Sequence, residues 1–199
     1  MKFYKILFII LLVSSCATNQ TDNLQPHKMA SCIVASPQFT KEIGVAAIKS
    51  LGADLDYYYN LYSRDQFKVD NSPAEFTAHH YAQNAVLLPT VNDQNRVGIQ
   101  AVHDYFDSFM TREPHLIFTQ SNINQAQVTL SGCGYGVMSG YYSFNSKGKM
   151  IRARYTMQFQ YQQDTETVTI DTNDGYNLPV KQNPGWYIVA HHSSIVPGQ

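Results

Sequence analysis

Residues 151–161 read IRARYTMQFQY, and this stretch decides the fold. Every second side chain from Ile151 to Tyr161 is apolar or aromatic, whereas the intervening side chains from Arg152 to Gln160 are polar or charged. Successive side chains of a β-strand point to opposite faces of its sheet. The alternation therefore predicts a long strand with one face in the core and the other face in solvent.

Shorter segments on both sides of this strand have similar patterns. The further predicted strands cover residues 85–88, 115–123, 127–130, 134–144 and 186–194. Residues 145–148 read NSKG and predict the turn before the long strand. Residues 164–184 are polar and rich in turn-forming residues, although residues 167–170 could extend the hairpin.

Three helices are predicted ahead of most of the strands. Apolar residues recur every three or four positions over residues 41–64, which is typical of a long amphipathic helix, and Thr40 can cap it. Shorter helices are predicted over residues 72–82 and 97–110. Helices followed by a meander of antiparallel strands indicate an α+β fold. We expect a curved sheet wrapped around the first helix, forming a cone with an internal pocket.

The N-terminus has the parts of a secretory signal. Two lysines precede an apolar run over residues 6–13, which is shorter than the roughly 20 residues needed to span a bilayer. The run is followed by Val-Ser-Ser-Cys, ending at Cys16. This block resembles the lipobox of bacterial lipoproteins, which implies a signal peptide over residues 1–15 and a diacylated Cys16. An ordinary signal peptide cleaved near Ala17 is the alternative.

The lipoprotein interpretation predicts both location and domain organisation. In Gram-negative bacteria an alanine after the lipidated cysteine usually implies the outer membrane, so we expect a lipid-anchored protein facing the periplasm. Residues 16–31 then form the lipidated cysteine and a polar tether, and residues 32–199 form a single domain. The mature chain has 199 − 15 = 184 residues, enough for one domain with its own core.

Charge and composition argue against some partners. The mature chain has 14 − 2 = 12 basic and 15 acidic residues, a formal charge of −3, with no Lys/Arg run. Nucleic acid is therefore disfavoured as a partner. No Cys/His group has metal-ligand spacing, and we expect neither a metal nor a cofactor.

Two cysteines remain once Cys16 is lipidated. An even pair in an oxidising compartment predicts a disulfide between Cys32 and Cys133. The bond would close a loop of about 100 residues and contribute ~4–5 kcal/mol in the chain-entropy model. Two buried free thiols are the alternative.

Several segments occur in an order that resembles a known family. They are AVLLPT at 85–90, DYF at 104–106, GYYSF at 140–144, ARYT at 153–156, and WYIV with HHSS and a proline over 186–197. The ordered set is similar to the bacterial branch of the calcium/calmodulin-dependent protein kinase association-domain family. That family belongs to the nuclear-transport-factor-like superfamily of cones, which also includes polyketide cyclase-like proteins and ketosteroid isomerase. Cys32 and Cys133 resemble the cysteine pair of its exported members.

The resemblance covers about residues 32–197 and implies a homo-oligomer, most often a dimer formed through the outer face of the sheet. It does not imply a kinase, because the sequence has no Gly-rich phosphate loop and no catalytic Asp motif. Two features depart from the family. Residues 164–184 are longer and more polar than the expected turn, and three tyrosines at 57–59 stand where a single Trp is expected.

The pair His191-His192 is the feature most suggestive of chemistry. Strand alternation sends the two rings to opposite faces, so they cannot chelate one metal together. The resemblance places His191 and Ser193 on the inward face. His191 is then either a hydrogen-bonded, half-buried histidine or a ligand contact and general base.

Aromatic residues should complete the interior of the cone. If the helix and strand phases hold, Tyr58, Tyr142 and Tyr155 face inward, and Phe159 with Met157 forms an apolar floor. Because buried Tyr hydroxyls need partners, these residues either line a polar pocket or fill the core.

Other polar groups are assigned outside the pocket. We interpret Arg154 as part of a solvated stripe or dimer interface on the outer face, and Arg96 as a residue near the mouth of the cone. His79 and His80 are interpreted as surface residues.

Three functions remain open. In the first, the cone oligomerises and binds a small, partly apolar molecule without catalysis, using Tyr58, Tyr142, Tyr155, Phe159, His191 and Ser193. In the second, an isomerase or cyclase uses His191 as base and Tyr142 as donor, although no inward acidic residue is apparent. The third is a purely structural oligomerisation domain.

Overall fold

A computed structural model describes residues 37–64, 71–90, 94–130, 134–172 and 175–198. The predicted signal peptide, Cys16, the tether and both Cys32 and Cys133 lie outside these residues, so their roles stay predictions. Within the described ranges, no helix is long and apolar enough to cross a membrane.

The protein is an α+β fold with a curved, open sheet, as the sequence predicts. The helices are α1 (Lys41–Arg64), α2 (Asn71–His80), α3 (Ile99–Met110) and α4 (Gln120–Gln125). The strands are β1 (Tyr81–Leu88), β2 (Arg96–Val97), β3 (Pro114–Ile117), β4 (Gln127–Leu130), β5 (Tyr135–Ser146), β6 (Lys149–Gln162), β7 (Glu166–Asp171), β8 (Asn177–Gln182) and β9 (Gly185–Ile195).

Seven strands form the main sheet. Their order is β2-β1-β9-β6-β5-β3, and β4 pairs with β5. The pairs are antiparallel except for β1 with β9, where the first strand of the chain runs parallel to the last strand. This parallel contact places residues of the first strand beside residues of the last strand.

The main core lies between the sheet and helices α1 to α3. Its buried side chains include Leu55, Phe106, Met138 and Met157. Gly136 is required at the edge of this core, because a Cβ there would lie 2.1 Å from the ring of Phe39.

Three element boundaries were predicted wrongly. Helix α2 ends at His80 and not near Ala82, so Tyr81 begins strand β1. Helix α3 begins at Ile99 rather than at residue 97. The segment 115–123 is not one strand, because Thr119 caps helix α4 by accepting a hydrogen bond from the Asn122 backbone N–H.

The polar segment 164–184 forms its own two-stranded sheet, β7–β8, rather than extending the β5–β6 hairpin. Its apolar side chains pack on α2 and on Ile99 to form a second core. Gln100 fastens the hairpin, because its amide oxygen accepts from Asp171 N at 2.8 Å and its amide nitrogen donates to Asp171 O at 2.9 Å.

Candidate functional site

A small cavity lies between the concave face of the sheet and helices α1, α2 and α3. Its volume is about 50 Å³. Its apolar lining includes Leu51, Leu55, Phe76, Leu87, Phe109, Phe144 and Met157. Its polar lining consists of Tyr81, Thr90, Tyr105, Tyr142, His191 and Ser193. The cavity is therefore an apolar chamber with one polar wall.

The first part of that wall is the pair Tyr81–His191. His191 lies opposite Leu87 of β1, and strand alternation turns its ring inward while the ring of His192 is exposed. The Tyr81 hydroxyl lies 2.9 Å from His191 Nδ1. His191 Nε2 is buried and has no hydrogen-bond partner among the described residues.

The imidazole of His191 is neutral at ordinary pH. Burial lowers the pKa of His191 to about 3, and the neighbouring His192 acts in the same direction. Charging this ring would place an uncompensated cation inside an apolar chamber. In the folded protein His191 therefore acts as a neutral hydrogen-bonding group.

The second part of the wall comprises the three hydroxyls of Thr90, Ser193 and Tyr142, here called the hydroxyl row. Tyr142 Oη lies 2.6 Å from Ser193 Oγ, and Thr90 Oγ1 donates to the same oxygen. Ser193 Oγ in turn donates to the backbone oxygen of Arg154 at 3.3 Å. Burial raises the pKa of Tyr142, while hydrogen bonding with Ser193 and Thr90 opposes that rise.

The structure brings together half of the predicted ligand-binding residues. Tyr142, His191 and Ser193 line the cavity. Tyr58, Tyr155 and Phe159 are buried but are absent from its lining. A role for these three residues in ligand binding stays a prediction.

Each of the three has a different environment. The Tyr58 hydroxyl lies 2.9 Å from Nδ1 of His79. Phe159 stacks on Phe39 with ring centroids 5.0 Å apart. The ring of Tyr155 lies 5.7 Å from that of Tyr142, and its buried hydroxyl has no partner within the described part of the chain.

Sequence reasoning missed Tyr81 and Thr90. The sequence pattern assigns Tyr81 to the end of a helix, whereas in the structure Tyr81, Ala85 and Leu87 are buried residues of β1. Thr90 follows Pro89 at the end of β1. A polar side chain directly after an apolar strand is the sequence feature that could have identified it.

Arg96 lies next to the cavity wall. It pairs across strands with Leu87, which lines the cavity. Its Nε is buried and has no partner among the residues described. Burial raises the pKa of Tyr105, and the charges of Arg112 and Arg96 oppose that rise, so both guanidinium groups act on this cavity residue.

The outer face of the sheet has a different character. Arg154 is exposed, and its Nε donates to Ser194 Oγ at 2.9 Å. The guanidinium of Arg152 lies 5.3 Å from the ring centroid of Tyr141. The described residues contain no cluster of three or more metal-ligating side chains on either face.

The prediction that His79 and His80 both lie at the surface is wrong for His80. His79 is exposed. The side chain of His80 is only 10% exposed and lies 2.9 Å from Asp54 Oδ2. This contact joins α2 to α1 and lowers the pKa of Asp54.

Comparisons with known proteins identify the fold. No family model and no curated protein matches the chain. A candidate calcium/calmodulin-dependent protein kinase II association domain from Xanthomonas campestris is 26% identical with a TM-score of 0.53, over 83% of this chain and 94% of that one. The iota-carbonic anhydrase of a cyanobacterium, complexed with bicarbonate, is 15% identical with a TM-score of 0.56, over 83% and 98%.

An NTF2-like protein of unknown function from Pseudomonas putida is 13% identical with a TM-score of 0.45, over 79% of this chain and 89% of that chain. The chain therefore has an α+β fold similar to that of the association-domain protein, which it resembles over most of its length.

Proposed function

We propose that the cone binds a small, partly apolar molecule that carries oxygen, and that it does so without catalysis. The observation that carries this proposal is the buried His191 Nε2, which has no partner among the described residues although its ring lines a cavity. An unpaired buried polar atom is unfavourable, and a ligand oxygen in the chamber would satisfy it.

The size of the cavity limits the ligand. Pockets for drug-sized molecules span roughly 300–1,000 Å³, whereas this cavity has about 50 Å³. At roughly 10–15 Å³ of such space for each water-sized group, the cavity holds a ligand of about four heavy atoms. Steroid or polyketide substrates do not, which weakens the isomerase or cyclase alternative with His191 as base and Tyr142 as donor.

Bicarbonate is a suitable first probe, because it has four heavy atoms and because one structural neighbour is complexed with it. At a ceiling of ~1.5 kcal/mol per heavy atom, such a ligand binds no more tightly than about 40 µM. The titration therefore follows ¹³C-labelled bicarbonate by NMR up to tens of millimolar.

His191 and His192 provide a matched pair of variants. We expect His191→Phe to abolish saturable binding and His192→Phe to leave it unchanged, because only His191 lines the cavity. Equal binding by the wild type and His191→Phe would refute the proposal. Absence of binding by bicarbonate and other small probes would favour the structural alternative.

Hydration of carbon dioxide is the second candidate. The observation that favours it is a chamber of suitable size with hydroxyls on one wall, which can hold a water molecule beside an apolar space for carbon dioxide. Water and carbon dioxide would combine to give bicarbonate and a proton released to solvent. Stopped-flow hydration with a pH indicator tests this candidate, and a rate equal to that of buffer would exclude it.

We also propose that two copies associate through the outer face of the sheet. The association-domain neighbour supports this proposal, as does a groove on that face with a mixed polar and apolar lining that includes Tyr141, Arg154 and His192. Light scattering should report a dimer for the soluble domain and a monomer for Arg154→Glu. A monomeric wild type would refute the proposal.

The N-terminal predictions complete the proposed function. We propose that Cys16 is lipidated and anchors the domain at the cell envelope, and that Cys32 and Cys133 form a disulfide. Cys16→Ser should move the protein out of the membrane fraction. Reduction should add the mass of two hydrogen atoms to the intact protein, and an unchanged mass would indicate free thiols.

A further inference from the structure

The hydrogen bond between Tyr81 and His191 has two possible directions. If Tyr81 donates to Nδ1, the ring proton is on Nε2, and that N–H is the only group left without a partner. If Nδ1 donates instead, the Tyr81 proton and the Nε2 lone pair both lack partners among the described residues. Buried polar groups rarely remain unpaired, so the first arrangement is favoured.

The hydroxyl row offers hydrogen-bond acceptors to the cavity, whereas His191 Nε2–H offers a donor. Ser193 has a single proton, and its donation to Arg154 O leaves the Ser193 oxygen to accept from Thr90 and Tyr142. This arrangement uses all three protons. Because the two acceptor positions of Ser193 are then occupied, the row presents only the oxygen lone pairs of Thr90 and Tyr142 to the cavity.

The two parts of the wall are close enough for one small molecule to reach both. Thr90 and Tyr142 both hydrogen-bond to Ser193, which lies two positions from His191 on β9 and faces the same side, so its backbone is about 7 Å from that of His191. A planar group a few atoms wide, with a hydrogen bond of about 2.8 Å at each end, spans a distance of this size.

From this arrangement we infer that Tyr81 holds the ring proton of His191 on Nε2, and that the cavity selects small planar molecules in which an acceptor oxygen adjoins a hydroxyl or amide donor. The acceptor oxygen meets His191, and the donor meets the hydroxyl row. This inference rests on the proposed binding function and specifies the ligand class. Tyr81 is a positioning residue, because it acts through His191.

The tautomer is testable without any ligand. In protein carrying ¹⁵N-labelled histidine, two-bond ¹⁵N–¹H correlations distinguish Nε2–H from Nδ1–H. We expect Nε2–H at His191 in the wild type and a mixture in Tyr81→Phe. Tyr187→Phe is the matched control, because the hydroxyl of Tyr187 donates to Asn183 O and not to His191. An Nδ1–H tautomer in the wild type would overturn the inference.

Ligand selection is tested with acetamide and acetate, which have the same shape. Acetamide offers an acceptor oxygen and an N–H donor, whereas acetate at pH 7 offers two acceptors, one of which would face the lone pairs of the hydroxyl row. We expect acetamide to bind roughly tenfold or more tightly than acetate by NMR titration, because a site built for a donor rejects an isostere that lacks it.

The outcomes separate the inference from the function on which it rests. Equal affinity for acetamide and acetate would overturn the inference while leaving small-molecule binding established. An Nε2–H tautomer without binding of acetamide, acetate or bicarbonate would refute the proposed function, and the predicted selectivity with it. A tautomer in Tyr81→Phe identical to that of the wild type would overturn the positioning role of Tyr81.

Discussion

Strand β9 carries the same two residue types on both faces of the sheet. His191 and Ser193 are buried in the cone, where they pair with Tyr81 and Tyr142. His192 is exposed on the outer face, and Ser194 accepts from the guanidinium of Arg154. The chemistry of each residue in the HHSS motif therefore depends on the face that it occupies, because only His191 and Ser193 are removed from water.

The largest expected difference between the faces comes from a buried charge. His191→Lys would place an ammonium in a chamber whose lining includes no carboxylate, and should destabilise the fold by roughly 3–5 kcal/mol. His192→Lys should change the free energy of unfolding by less than about 0.5 kcal/mol. Urea denaturation measures both variants, and similar losses would show that the faces do not differ.

The pH dependence of stability should also separate the two histidines. The pKa of His191 is about 3 in the folded protein and 6.5 in the unfolded chain, so between these values only the unfolded chain binds the proton. Stability is therefore complete above pH 6.5 and falls as the pH decreases, by up to roughly 1.4 kcal/mol per pH unit.

The same substitution at both positions isolates this effect. His191→Phe should flatten the decline between pH 6.5 and 3, whereas His192→Phe should retain it. Asp54, whose pKa is lowered mainly by its hydrogen bond to His80, also loses stabilisation in acid, but this loss is common to all variants. Parallel curves for the two variants would contradict the assignment.

A smaller difference is expected for the serines. Ser193→Ala removes the shared acceptor of Thr90 and Tyr142 and should lower the free energy of unfolding by roughly 1–3 kcal/mol. Ser194→Ala removes a partner of an exposed guanidinium and should cost less than about 0.5 kcal/mol. Thermal or urea unfolding of both variants provides the test, and the reverse order would place the hydroxyl row outside the stabilising network.

The smallest effect concerns Arg154. Because its side chain is exposed, Arg154→Ala should change the stability of the monomer by less than about 0.5 kcal/mol. Unfolding measured at a concentration where the protein is monomeric tests this expectation. A loss above 1 kcal/mol would mean that the outer face contributes to the fold as strongly as the inner face.

Much of the sheet could be predicted because strand alternation is a local pattern. It predicted that Tyr142 faces the interior, and the family resemblance predicted the same for His191 and Ser193; all three side chains are buried. The start of β1 could not be predicted in this way, because Tyr81 follows a helix without a breaker and becomes a strand residue through its pairing with Ile188. The partner of His191 was therefore missed although His191 itself was identified.

Two other elements, α4 and the β7–β8 hairpin, differ from the sequence prediction. The first difference has a local cause and the second a non-local cause. Helix α4 depends on a cap at Thr119, a signal that was present in the sequence but was outweighed by the strand pattern before it. The β7–β8 hairpin depends on apolar contacts with α2 and Ile99, which no local pattern contains. The size of the cavity likewise depends on how helices distant in sequence pack over the sheet.

The parallel contact between β1 and β9 has a consequence for the order of events during synthesis. Tyr81 and His191 are 110 positions apart, and Thr90 and Ser193 are 103 apart. A growing chain can form its helices and its central hairpin before β9 exists, but closing such long loops must await the last strand. The polar wall of the cavity is therefore among the last parts of the protein to be assembled, and any product truncated before β9 lacks its His191 and Ser193.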